Sequence, residues 1–148
     1  MSADEPQLIP AGVSTDDRGR VYFANDFDLS VCRRMYFVEN FSPGTVRAWH
    51  AHRHERKWVM AVTGAALACC VEIDDWDSPS QDATVHRFTL DADHPALLAV
   101  PAGYANGAMG LLPGTKLLYF SDASLEQSLG DDIRYPARHW DPWQVAER

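Results

Sequence analysis

The sequence is poor in cysteine. Its three thiols, Cys32, Cys69 and Cys70, form no CxxC pair. Adjacent Cys69 and Cys70 point to opposite sides of any strand. A disulfide framework is excluded, and reduced packing thiols of a cytoplasmic protein are expected. No apolar run approaches the ~20 residues of a membrane-spanning helix, so no membrane partner is expected. The opening stretch MSADEPQLIPAG has no basic segment followed by an apolar run, and it is not read as a signal peptide. Basic residues are the minority, 13 Lys and Arg against 21 Asp and Glu, for a net charge of −8. That balance excludes a general nucleic-acid binder, although a local basic pocket is compatible with it. Internal repeats, low-complexity tracts and long amphipathic helical patterns are also missing.

What is present is a globular composition, with 46% hydrophobic residues over 148 positions. That is the size of one domain. Residues 1–13, with two prolines and early acids, read as an N-terminal arm. Residues 14–148 read as the single domain. Short runs rich in aromatic and branched residues recur between Gly, Pro and Asp turns. They begin at Val21 and cover 32–40, 45–50, 57–62, 65–73, 84–90, 96–100 and 116–121. Runs 57–62 and 65–73, separated by Thr63-Gly64, read as a hairpin. The tail from Ser124 reads as irregular, anchored by Trp140 and Trp143. This pattern predicts an all-β fold, best matched by a double-sheet jelly roll.

The densest polar cluster is Arg47-Ala48-Trp49-His50-Ala51-His52-Arg53-His54-Glu55-Arg56-Lys57. On a strand, His50, His52 and His54 share one face, and imidazoles are common metal ligands. The segment resembles the first cupin motif, an HxH followed by a glutamate and then a glycine, here Gly64. The glutamate position is Lys57. Pro101-Ala102-Gly103-Tyr104-Ala105-Asn106 resembles the second cupin motif, with Asn106 at its histidine position. An ammonium offers no lone pair and repels a nearby cation. The resemblance therefore implies a cupin-type jelly roll with no metal ligands and no cofactor.

A fuller ordered match runs from Asp16 to Tyr119. Asp16-Asp17-Arg18-Gly19, Arg47-Ala48-Trp49-His50, Lys57-Trp58-Val59, Pro101 to Gly107 and Leu117-Leu118-Tyr119 resemble motifs of the dTDP-4-dehydrorhamnose 3,5-epimerase family. Arg47 to His52, with its HAH, also resembles the dTDP-sugar 3,4-ketoisomerases. The chain departs from the epimerases at Asn106 and lacks the tyrosine expected just after Tyr119. Asp131, Asp132 and Asp141 are candidates for the late aspartate that orients the base.

The resemblance implies proton abstraction beside the ketone of a nucleotide-linked 4-keto-6-deoxy sugar. His50 is the expected base, suited by its pKa near neutrality. Lys57 is the expected stabiliser of the enolate. Tyr119 is the expected acid on the opposite face, with Tyr104 as the fallback. Arg47 and Arg18 match the residues for the diphosphate, Arg18 reaching across a dimer interface. Arg34, His52, Tyr104 and Asn106 complete the expected substrate contacts. Trp49 is free to pack or to stack. A homodimer joined through N-terminal strands is implied. The alternatives are a 3,4-ketoisomerase, a metal-dependent cupin and a non-catalytic cupin that binds a sugar nucleotide.

Overall fold

The computed structural model describes residues 4–148; the first three residues of the expected arm lie outside the described residues. The strands are β1 (Gln7–Pro10), β2 (Gly12–Asp16), β3 (Gly19–Phe23), β4 (Arg34–Glu39), β5 (Val46–Ala51), β6 (Lys57–Thr63), β7 (Ala65–Glu72), β8 (Val85–Asp91), β9 (Ala96–Val100), β10 (Tyr104–Gly110), β11 (Lys116–Ser121) and β12 (Ile133–Arg134). A 3-10 turn covers Leu29–Val31, and one short helix, α1, covers Leu125–Leu129. Two five-stranded antiparallel sheets face each other. The first has the order β1-β9-β6-β11-β4 and the second β12-β5-β10-β7-β8, while β2 and β3 form a separate hairpin. This is the cupin-like double-sheet jelly roll expected from the strand spacing.

Side-chain alternation explains which faces meet. In β4, Tyr36 and Val38 are part-buried while Met35 and Phe37 are exposed, the period of two expected of a strand covered on one face. Strand β7 is buried along nearly its whole length, because both of its faces are covered. Its inner face meets Val59, Leu98, Val100 and Leu117 in the inter-sheet core. Its outer face, with Leu67, Cys69 and Val71, lies together with Trp49 of β5 under Trp140 and Trp143 of the C-terminal tail. The tail approaches closely because β10 carries Gly107, where a Cβ would lie 2.5 Å from Ala48 Cβ and 3.0 Å from Trp143. All three cysteines are free. Burial pushes the Cys69 thiol up to about 11 and Cys70 higher still, so both are inert packing groups.

Two expectations change. Strands β6 and β7 are not a hairpin. Strand β6 hydrogen-bonds to β9 and β11 of the first sheet, whereas β7 pairs with β8 and β10 of the second. Gly64, at φ +73°, carries the chain between the sheets. The tail is also more regular than expected. Helix α1 begins with a capping box between Ser124 and Gln127, and β12 then pairs with β5. Within the expected arm, β1 adds to the edge of the first sheet by pairing with β9.

Candidate active site

A cavity of about 270 Å³ opens between the two sheets. Strands β4, β6 and β11 of the first sheet supply Arg34, Tyr36, Lys57 and Tyr119. Strands β5 and β10 of the second supply Arg47, His50 and Asn106, and β12 supplies Arg134. His52, just past the end of β5, and Asp132, just before β12, complete the polar wall. The cavity therefore carries most of the cationic and imidazole groups expected from the sequence, inside an acidic protein.

His50 stands on β5 opposite Asn106 of β10 and Arg134 of β12. Asn106 Nδ2 donates to the His50 carbonyl at 3.1 Å, so Asn106 ties β10 to the strand that carries His50. Burial lowers the His50 pKa, and the Arg134 and Lys57 charges lower it further. The imidazole is neutral near pH 7 and able to take a proton. Of the three candidate aspartates, Asp132 lines the cavity with His50, and its charge acts on His50 in the opposite direction. Its carboxylate also accepts from Arg134 Nε at 3.1 Å. Asp141 instead pairs with exposed Arg138 at 2.8 Å. Asp131 has a different task. Its carboxylate accepts the backbone N–H groups of Arg53, His54 and Glu55 at 2.8, 2.8 and 3.0 Å, which fixes the loop between β5 and β6.

On the facing sheet, Lys57 is 8% exposed and donates to the Tyr36 hydroxyl at 2.9 Å. The Tyr36 ring stacks on Tyr119, with centroids 5.1 Å apart and planes 2° from parallel. The two rings meet because β4 and β11 pair with Tyr36 directly opposite Tyr119. Burial raises the Tyr119 pKa well above its ordinary value, so the phenol keeps its proton at neutral pH. Tyr36 escaped the sequence reading. Its signal was the alternating pattern of β4, which places it on the same face as Arg34.

A further residue at this site is Glu55. Its carboxylate is almost fully buried and accepts from Arg34 Nη2 at 3.0 Å, Ser121 Oγ at 2.6 Å and Ser128 Oγ at 2.8 Å. Lys57 Nζ lies 3.9 Å away and His52 Nδ1 3.3 Å away. Burial alone would raise its pKa. The hydrogen bonds from Ser121 and Ser128 and the Lys57 charge outweigh that, and the net shift is downward. Glu55 is thus a fixed anion that gathers Arg34, His52 and Lys57 at one end of the cavity. With its oxygens so engaged, it does not complete a histidine metal site. Among the described residues, no three His, Cys, Asp or Glu side chains converge on a common point.

The remaining expected residues divide. Arg47 is exposed at the cavity wall, where its Nε donates to Asn40 Oδ1 at 2.6 Å. His54 leaves the expected shared face, because β5 ends at Ala51 and His54 lies in the loop beyond it. Tyr104 does not line the cavity. It starts β10 and packs into the inter-sheet core beside His86, with ring centroids 6.1 Å apart. Arg18 sits in the turn of the β2–β3 hairpin, exposed, paired with Asp16 and away from the cavity of its own chain. Trp49 packs rather than stacking on a ligand. It is fully buried and meets Trp140 edge-on at 5.3 Å. No helix of the described residues is long and apolar enough to cross a membrane.

Comparison with known proteins agrees with the fold. A family model described as dTDP-4-dehydrorhamnose 3,5-epimerase matches residues 5–140. No curated protein matches the sequence. Among solved structures, the dTDP-4-dehydrorhamnose 3,5-epimerase of Bacillus anthracis with TDP and PPi bound is 22% identical, with a TM-score of 0.74 over 97% of this chain and 87% of that one. A double mutant of the 3,4-ketoisomerase QdtA of Thermoanaerobacterium thermosaccharolyticum, in complex with TDP, is 18% identical with a TM-score of 0.69, over 95% of this chain and 94% of that one. The 3'-monoepimerase ChmJ of Streptomyces bikiniensis, in complex with dTDP-quinovose, is 18% identical with a TM-score of 0.66, over 80% of this chain and 64% of that one.

Proposed function

The chain belongs to the dTDP-4-dehydrorhamnose 3,5-epimerase family, and from that premise we propose that it epimerises a nucleotide-linked 4-keto-6-deoxy sugar at C3, C5 or both. The observation that carries the reading is the division of the cavity between two sheets. His50 belongs to one wall, and Lys57, Tyr36 and Tyr119 belong to the other. Inversion requires a proton to leave one face of the ring and return to the opposite face, so base and acid must stand on facing walls.

In this reading neutral His50 takes the proton beside the ketone. Negative charge develops on the C4 oxygen, where the Lys57 ammonium stabilises it, held in place by Tyr36 and Glu55. Tyr119, protonated because it is buried, returns the proton. Tyr36, already hydrogen-bonded to Lys57, is the second phenol able to do so. Arg34 and Arg47 suit the diphosphate through their planar guanidinium groups, and Asn106 keeps His50 in register. No metal or cofactor is assigned a step. We assign Arg18 to the cavity of a second copy in a homodimer. The exposed apolar Val21, Tyr22 and Phe23 of its hairpin fit a surface covered by that copy.

A 3,4-ketoisomerase is the second reading, favoured by one observation: His50 and His52 line the cavity from the same chain segment. A proton carried from C3 to C4 along one face needs no opposite acid. The Tyr119→Phe and Tyr36→Phe variants separate the two. Under the epimerase reading, at least one of them forms epimer about 100-fold more slowly, the usual scale of a lost general acid, while His50-dependent exchange of the sugar proton with solvent persists. Wild-type turnover to a product with its ketone at C3 would support the ketoisomerase instead.

A further inference from the structure

The arginines of the cavity are not equally free. Arg34 Nη2 donates to Glu55 Oε1 at 3.0 Å and to Ser128 Oγ at 2.9 Å. Its Nε is buried, so Nη1 is what remains for a ligand. Arg47 directs its Nε to Asn40 at 2.6 Å and stands further back along β5 from His50. No sequence motif marks Arg134, yet its placement is the most open. It lies on β12, the edge strand of the second sheet, directly opposite His50 in the β5–β12 register. Directly opposed residues of an antiparallel pair project from the same face, and both line the cavity. The Arg134 side chain is 68% exposed. Its Nε and its Nη2 each lie 3.1 Å from the Asp132 carboxylate. A guanidinium carries five N–H donors in a fixed fork. Asp132 therefore orients the plane along one edge and leaves the Nη1–Nη2 edge for an anion. The cavity sets Arg34, Arg47, Lys57 and Arg134 against Asp132, with Glu55 behind. That surplus of positive charge suits an anionic ligand.

We infer that Arg134 is a substrate-binding residue, which grips the sugar-proximal phosphate of the diphosphate through the guanidinium edge that Asp132 leaves free. This rests on the cavity being a nucleotide-sugar site. The assignment to that phosphate follows from the substrate's own connectivity. His50 has to reach C3 or C5 of the sugar. Only a few bonds separate those carbons from the phosphorus on the anomeric oxygen. The cation that meets this phosphate therefore stands beside His50, and Arg134 is the one paired with His50 across the strands. Lys57 belongs to the facing sheet, held by the Tyr36 hydroxyl, and serves the ketone oxygen instead. A planar guanidinium with two parallel N–H groups matches two phosphate oxygens in a way that an ammonium does not.

The test titrates TDP, UDP and GDP and their monophosphates calorimetrically into the wild type, Arg134→Gln, Arg134→Lys and Arg138→Gln. For the diphosphate that the wild type binds tightest, Arg134→Gln should bind about tenfold weaker, the scale of a hydrogen bond to a charged group. The matching monophosphate, which lacks the sugar-proximal phosphate, should change by less than about twofold. Arg134→Lys keeps the charge but loses the fork, so its loss should be intermediate and again confined to the diphosphate; this variant carries the test if Arg134→Gln does not fold. Arg138→Gln removes the same charge outside the cavity, where Arg138 pairs with Asp141, and should bind both nucleotides as the wild type does. Unchanged diphosphate binding in the folded Arg134 variants overturns this inference alone. So does an equal loss for diphosphate and monophosphate, or a loss of the same size in Arg138→Gln. Failure of the wild type to bind any of the three diphosphates overturns the nucleotide-sugar reading and this inference with it.

Discussion

Replacing Asp131 with asparagine should loosen the loop on which the site depends. The carboxylate holds three backbone N–H groups through two oxygens: Oδ1 takes Arg53 at 2.8 Å, and Oδ2 takes His54 at 2.8 Å and Glu55 at 3.0 Å. Asparagine has one acceptor oxygen. If it occupies the Oδ2 position, the Arg53 N–H faces an NH2 donor; if it occupies the Oδ1 position, two N–H groups do. The residue is 9% exposed, so water compensates little. Bonds to a charged acceptor contribute ~1.5–3 kcal/mol each and an unsatisfied buried donor costs ~1–3 kcal/mol. A loss of about 2–4 kcal/mol follows. In a chain of this length each kcal/mol shifts the melting temperature by ~2–4 °C, so Asp131→Asn should melt about 5–15 °C lower. Urea unfolding at neutral pH reads the same loss as a lower midpoint at unchanged m-value. The sign with pH is also fixed. The three N–H groups hold the Asp131 carboxyl below its ordinary range against the opposing effect of burial. The stabilisation is therefore complete above the unfolded pKa, ~3.9, and disappears as pH falls through the lower folded value. The gap between wild type and variant should close in acid. A loss under about 0.5 kcal/mol at pH 7 would refute the assignment of Asp131 as the anchor of this loop.

Gly107→Ala should destabilise by about 1–3 kcal/mol, the usual cost of overpacking, because the new methyl would meet Ala48 Cβ at 2.5 Å, Trp143 at 3.0 Å and the Arg47 carbonyl oxygen at 3.1 Å. Circular dichroism melts check this, and Gly110→Ala, with its nearest contact at 3.6 Å, is the tolerant control. Activity should have an acid limb below pH ~6.5, because burial and the Arg134 and Lys57 charges depress the His50 pKa. Arg134→Gln removes one of those charges, and the limb of the pH–rate profile should move to higher pH. Folding responds in the same sense: the unfolded chain takes up the imidazole proton first, so the His50 contribution weakens as pH falls below ~6.5.

The strand register and the spacing of turns made the jelly roll legible, because alternation in stretches such as Arg34 to Glu39 shows which side chains face inward. The pairing of β6 and β7 was not legible. A glycine turn signals reversal of the chain, but the sequence does not say whether the next strand continues the same sheet or crosses to the other. Strand β7 gives no help, since it is buried on both faces and lacks alternation. Helix α1 was legible in principle: Ser124 followed three residues later by Gln127 is a capping-box signature. In the candidate site, a local cluster and ordered motifs singled out His50, Lys57 and Tyr119, which line one cavity. Tyr36, Glu55 and Asp131 act through hydrogen-bond partners 21 to 78 residues distant in the chain, contacts that only the folded chain brings together. Tyr104 misled for the converse reason: its motif position is right, but the strand it begins turns its ring into the core.

The central claim is that His50 removes a proton beside the ketone of a nucleotide-linked sugar. It is tested most directly by incubating the protein with dTDP-4-keto-6-deoxyglucose in deuterated water and following the sugar by proton NMR. The expected result is loss of the C3 or C5 proton signal by the wild type and no loss by His50→Asn under the same conditions. Retention of both signals by the wild-type protein, or exchange that continues unchanged in His50→Asn, would contradict it.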